Sequence, residues 1–248
     1  MLDLTETTNR GGAEALSPAP FYDPTLPLPH RPKPELRETC RPGSNQRNRR
    51  AVILATIRRL LLEEGCEGVT VRRIAECSGH AVQTVYNLVG PRDAAITEAI
   101  SEYCQYVGVT AMPDPDGPQA AAEKFDHELR SIEANPEYCR KVCQIFFSDS
   151  RHIFYDFRDR QIRYLSDFLA RQKRSGIIRP DVNTLDLAEH LMLFTSALCV
   201  EWSDRPFPLA LLQRRLYAGY ANLLSGVISA SGDRLYVALM ARCCGATR

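Results

Sequence analysis

Between two glycine-marked breaks, Ser78-Gly79-His80 and Gly90-Pro91, the chain carries Val82, Gln83, Tyr86 and Asn87. At helical spacing these four share one side of a short helix, while Val85 and Leu88 share the other. The two carboxamides and the phenol on that first side donate and accept hydrogen bonds, which suits reading a polar surface. Basic side chains gather in the same region. Residues 41–92 hold nine Arg against four Glu, whereas 1–40 (four basic, six acidic) and 93–248 (18 basic, 20 acidic) are each slightly negative. A positive segment of this kind suits a polyanion, although a solvated charged face has the same composition. No Gly-x-Ser-x-Gly, phosphate-loop, dinucleotide-fingerprint or His-Glu-x-x-His motif occurs, His127-Glu128 being a fragment of the last. The chain therefore does not read as an enzyme.

The elements that must position these groups are helices. Val52, Ile53, Ile57, Leu60 and Leu61 recur at helical spacing until Gly65 stops the run. Thr70 is a good N-cap for a short second helix that buries Val71, Ile74 and Ala75. A third helix spans about residues 81–88, and Pro91 opens a fourth that reaches about residue 109. Two short helices joined by a three-residue, Gly-containing turn and braced by a preceding helix form the helix-turn-helix frame, here over about residues 70–88. Val85 and Leu88 then pack inward with Ile74 and Ile57, leaving Val82, Gln83, Tyr86 and Asn87 to a DNA major groove.

Ile74-Ala75, Gly79, Thr84 and Tyr86, with Glu64-Gly65 and Val69-Thr70-Val71 before them and Arg92-Asp93 after, form a specific combination. Over about residues 48–105 the chain resembles the tetracycline-repressor (TetR/AcrR) family of transcriptional regulators. The resemblance implies an all-α fold: an N-terminal three-helix helix-turn-helix DNA-binding domain followed by a larger helical ligand-binding and dimerisation domain. It implies that Thr70 caps the second helix and offers its hydroxyl or amide to a phosphate. Gln83 would contact a base, its amide being suited to adenine N6 and N7. Thr84 and Tyr86 would touch sugar and phosphate, and Arg92 would pair with a phosphate beside free helix amides. Arg47, Arg49 and Arg50 could form an arm along the DNA backbone. The chain departs from the family pattern at Ala81, where Ser is preferred, at His80, and at Leu88-Val89, where a His-Phe-like pair is expected. These changes bear on which operator is read.

Residues 1–45 contain Pro18, Pro20, Pro24, Pro27, Pro29, Pro32, Pro34 and Pro42 and read as a disordered tail. The Pro- and Asp-rich break at 112–118 divides a DNA-binding domain of 46–110 from a second domain of 118–230, with 231–248 as a C-terminal tail. Every long segment beyond the break reads as helix, and no alternating strand run occurs. Leu187, Leu191, Phe194, Leu198 and Trp202 form one apolar stripe; Leu212, Leu216, Tyr220 and Leu223 form another. Two such helices from each subunit could build the four-helix interface of a homodimer, or the stripes could fill a subunit's own core. Phe125, Phe146, Phe147, Tyr155, Tyr164 and Phe168 are candidate walls of an effector pocket, or core aromatics. Nine scattered cysteines without zinc-site spacing point to free thiols in a reducing cytoplasm, with no metal and no cofactor expected. No apolar run approaches the roughly 18 residues of a membrane span. The sequence thus reads as a dimeric repressor on double-stranded operator DNA, released by a small-molecule effector. The alternative is a helical ligand-binding or interaction protein with a degenerate DNA-binding head.

Overall fold

The computed structural model describes residues 23–28, 43–110, 120–230 and 241. The first apolar run folds as α1 (Ser44–Gly68), and the chain bends inside it at Gly65, where φ is 74° and ψ is 179°. That backbone region is essentially closed to residues with a Cβ. The bend lets one more turn form before Val69 leads into α2 (Val71–Ser78). Thr70 caps α2 as its residue type suggests: its hydroxyl accepts from the Arg73 N–H at 3.1 Å. Gly79, at φ 69° and ψ 28°, ends α2 in the left-handed conformation. The chain then re-enters helix as α3 (Val82–Val89), and α4 (Arg92–Thr110) follows Gly90 and Pro91.

Beyond α4 come α5 (Ala120–Ala134), α6 (Pro136–Gln144), a 3-10 turn at Ile145–Phe147, and α7 (Arg151–Arg174). Two further helices, α8 (Thr184–Asp204) and α9 (Leu209–Ser225), complete the described chain. The apolar pattern predicts the last helix over about residues 208–229, and α9 stops short of that. Its end turns back after Ser225, and Ile228 forms an isolated antiparallel bridge with Ile178. The architecture is all-α.

Two apolar clusters hold these helices. The first joins Ile53, Ile57 and Leu60 of α1 to Ile74, Val85, Ile96 and Ile100, and it continues into Tyr138, Val142, Ile145, Ile153 and Phe154. The head is therefore not closed off near residue 110: α6 and the start of α7 complete its core. The proposed break at 112–118 itself lies outside the described residues. The second cluster is built from Phe125, Leu129, Leu165, Phe168, Leu187, Leu191, Trp202, Leu212, Leu216 and Tyr220.

Two expectations change here. Leu187, Leu191, Trp202, Leu212, Leu216 and Tyr220, read as possible dimer contacts, are buried inside their own subunit. Phe194, Leu198 and Leu223 are only partly covered by that core. The stripes were correctly seen as apolar, but periodicity does not say which partner buries them. The Pro-rich tail also differs, because residues 23–28 pack against α1, with Pro24 buried and Leu28 on the first cluster. Of the proposed 1–45 tail, Ser44 and Asn45 already belong to α1, while residues 1–22 and 29–42, and the proposed C-terminal tail except residue 241, lie outside the described residues.

Gly65→Ala is expected to lower stability by about 1–3 kcal/mol, because the methyl group must enter a backbone region that alanine avoids. Thermal unfolding followed by circular dichroism checks this. A change below about 0.5 kcal/mol would mean that the bend relaxes without cost.

Candidate nucleic-acid interface

The helix-turn-helix exposes the polar face of α3. Val85 has no exposed surface and Leu88 packs partly on the same core, so α3 is gripped from one side. On the other side Val82 and Tyr86 are 44% and 46% exposed. Gln83 and Asn87 are exposed beside them, the Gln83 amide donating to the Asn87 side-chain oxygen at 3.0 Å. Thr84 is half-buried at the edge of this face. The result is a rigid strip bearing amide donors and acceptors, an apolar methyl pair on Val82 and a phenol. Amides of this kind match adenine edges, and small apolar groups match the thymine methyl. Ala81 supplies no side-chain cap to α3, which leaves its first amides without a hydroxyl partner.

The arginines divide differently from the expectation. Arg92, read as a phosphate ligand, is committed internally. Its Nε donates to the Val69 carbonyl and its Nη2 to the Cys66 carbonyl, both at 2.6 Å. Nη1 donates to Asp93 at 2.6 Å. Arg92 thus ties the start of α4 to the end of α1 and the entry to α2, which makes it a positioning residue. Arg50, read as part of a DNA arm, lies instead between Glu98 at 2.7 Å and Glu102 at 3.3 Å on α4. Arg47 is half-buried, and only Arg49 of the three is exposed.

Glu98 also receives Arg160 of α7 at 2.7 Å. Burial pushes the Glu98 carboxyl up, but Arg160 and Arg50 outweigh it and hold the group below its usual range. Asp93 is likewise held down: burial raises it, while His152 (at 2.8 Å) and Arg92 more than compensate. These pairs join α1, α4 and α7 across the back of the head.

The six candidate effector residues do not line one cavity. Phe125 stacks on Tyr220 with ring centroids 4.1 Å apart, Phe168 is buried in the same cluster, and the Lys124 ammonium sits over the Tyr164 ring. Phe146, Phe147 and Tyr155 instead meet edge-to-face where α6 turns into α7, with Phe147 56% exposed. Phe125 and Phe168 belong to the second cluster and Phe146 packs on the first, while Phe147 and Tyr155 are exposed. Cys139 and Cys143 of α6 lie near Cys199 of α8, all three as free thiols. Among the described residues no group of His, Cys, Asp or Glu is arranged to hold a metal ion. Nor is any helix among them long and apolar enough to cross a membrane. Cys243 and Cys244 lie outside the described residues.

No protein-family model and no curated protein matches the chain. Solved structures do. Full-length TylP, a TetR regulator from Streptomyces fradiae, is 16% identical and superposes with a TM-score of 0.56, covering 81% of this chain and 98% of its own. A Syntrophomonas wolfei protein classed as a TetR-family transcriptional regulator gives 0.55 at 14% identity, over 71% of this chain and 95% of its own. A Rhodococcus sp. protein of the same class gives 0.54 at 14% identity, over 71% and 97%. The chain has the TetR fold. Within that fold the sequence reading missed Arg58, a cation inside the apolar run from Ile57 to Leu61 that turns out to have no exposed surface. Its position in an apolar stripe was the available signal.

Two outcomes follow from the arginine placements. Arg92→Lys is expected to destabilise the head by about 1–3 kcal/mol, because an ammonium cannot reach both carbonyls and Asp93 together. Thermal melts would show it, and an unchanged melting temperature would contradict the positioning role. Because the folded Glu98 carboxyl is depressed, its contribution is present above its unfolded pKa of about 4.3. It is lost as pH falls through the lower folded value. Denaturant titrations from neutral pH to about pH 3 should therefore show Glu98→Gln less stable at neutral pH and less acid-sensitive. Parallel pH profiles for the two proteins would exclude this contribution.

Proposed function

We propose that this chain is a DNA-binding transcriptional regulator that acts as a homodimeric repressor on a palindromic operator. The observation that carries the reading is the outward face of α3. Gln83, Asn87, Val82 and Tyr86 are presented to solvent while Val85 anchors the helix to the core. Thr84 stands at the edge of that face and the exposed Thr70 caps α2, positions from which hydroxyls and helix amides can meet phosphates. Arg49 and Arg47, at the start of α1, are the arm residues that keep this role; Arg50 and Arg92 act by holding the frame.

A dimer is the natural form for such a reader, since two half-sites about 34 Å apart need two recognition helices. Its support in this subunit is the surface of α8 and α9 that the core leaves open. Phe194 and Leu198 there flank a shallow groove with Glu201, Arg215, Gly219 and Asn222, and Leu193 is 51% exposed. The Phe194 ring lies directly against the Gly219 backbone, where a Cβ would collide with it. A glycine at that point lets the two helices approach closely.

Release by a small molecule completes the reading. Its support is the family resemblance; Phe125 and Phe168 are packed as core in this structure. An effector would act by binding two head orientations unequally.

Binding of the purified protein to duplex DNA from upstream of its own gene, titrated at several salt concentrations, tests the proposal. Wild type should bind specifically, with affinity falling steeply as salt rises. Gln83→Ala and Tyr86→Ala should each weaken specific binding by about 10- to 100-fold while leaving thermal stability nearly unchanged. Absence of specific binding at low salt, with or without cell extract as a source of ligand, would favour the interaction-protein alternative.

A further inference from the structure

Arg58 and the segment 23–28 form a structure that the DNA-reading account does not use. The Arg58 side chain is completely enclosed. Its Nε donates to the Pro24 carbonyl at 2.6 Å and its Nη2 to the Leu26 carbonyl at 3.1 Å. Nη1 donates to the Ala99 carbonyl at 3.3 Å and to Glu102 at 3.0 Å. One buried cation on α1 is thus shared between α4 and a short piece of chain from the Pro-rich region. Glu102 is also held by Arg50, so the same stretch of α4 is gripped twice from α1.

The segment keeps a defined shape of its own. The Asp23 carboxylate accepts from the Thr25 N–H at 2.8 Å and from the Thr25 hydroxyl at 2.7 Å. This Asx-type turn aims the Pro24 and Leu26 carbonyls at the guanidinium. Its apolar attachment is small, however: Pro24 is buried, Leu28 rests on the core, and Leu26 is 43% exposed. A buried guanidinium deprived of acceptors is costly, and water must enter to replace them. Lifting the segment removes the Pro24 and Leu26 acceptors and admits water to the seam between α1 and α4.

We propose that residues 23–28 are a detachable strap whose docking on Arg58 clamps α4 against α1. The clamp sets the joint between the helix-turn-helix and the helices beyond α4. The seam is a receptor for a turn-forming, carbonyl-presenting peptide, and its occupant is this chain's own segment. Few contacts hold the strap, so its docking is a local equilibrium rather than part of global folding. This inference does not depend on DNA binding.

Amide hydrogen exchange without DNA tests it. The full chain would be compared with a variant in which residues 23–28 are replaced by a Gly-Ser sequence of equal length. A synthetic peptide of residues 20–31 would then be added to the variant in large excess. Amides of α1 around residues 56–62 and of α4 around 97–103 should exchange about tenfold faster in the variant, with α8 and α9 unaffected. The peptide should restore their protection, and a peptide carrying Asp23→Ala should restore it less well. Unchanged exchange in α1 and α4, acceleration spread evenly over all helices, or a peptide without effect would each overturn the strap.

Discussion

An eight-residue helix does not hold itself together in water, because nucleation costs more than two turns of hydrogen bonds return. The helix α3 is such a helix, and Ala81 gives it no side-chain cap. It exists where it does because Val85 is fully buried against a core that includes Ile57 and Ile74. Everything asked of the outward residues of α3 depends on this grip. With Val85 fixed, helical geometry alone aims Val82, Gln83, Tyr86 and Asn87 the other way. The bend at Gly65 and the left-handed Gly79 are the backbone concessions that bring α1, α2 and α3 into contact over so short a stretch.

The head is also tied to the rest of the molecule more firmly than a two-domain description suggests. Arg92 links α4 to the end of α1, Arg50 links α1 to Glu98 and Glu102, and Arg160 brings α7 to the same Glu98. Tyr138, Val142 and Phe154 finish the core that Ile53 and Ile57 begin. Movement among the later helices cannot be separated from movement of α4, and α4 is bonded to α1.

Much of the head was legible because its signals are local. Thr70 before an apolar period, Gly79 in a three-residue turn and Val85 opposite Tyr86 each mean the same thing in almost any context. The parts that were not legible depend on distant partners. Nothing near Arg92 says that its guanidinium will find the Cys66 and Val69 carbonyls rather than a phosphate. Leu191, Leu212 and Leu216 have the same spacing whether they meet a second subunit or their own core. Phe125 and Phe147 look alike as aromatics, yet one is stacked in the interior and the other is largely exposed. Periodicity reports which face of a helix is apolar; it does not report what covers that face.

The central claim is that the outer face of α3 lies on DNA. Site-specific photo-crosslinking measures this contact directly. A photoreactive residue would replace Gln83 or Asn87, with exposed Arg174 at the end of α7 as the control position. Each protein would be irradiated on duplex DNA from upstream of its own gene. The account predicts efficient crosslinks from positions 83 and 87 and few from 174. Equal yields from all three positions, or none from α3, would contradict it.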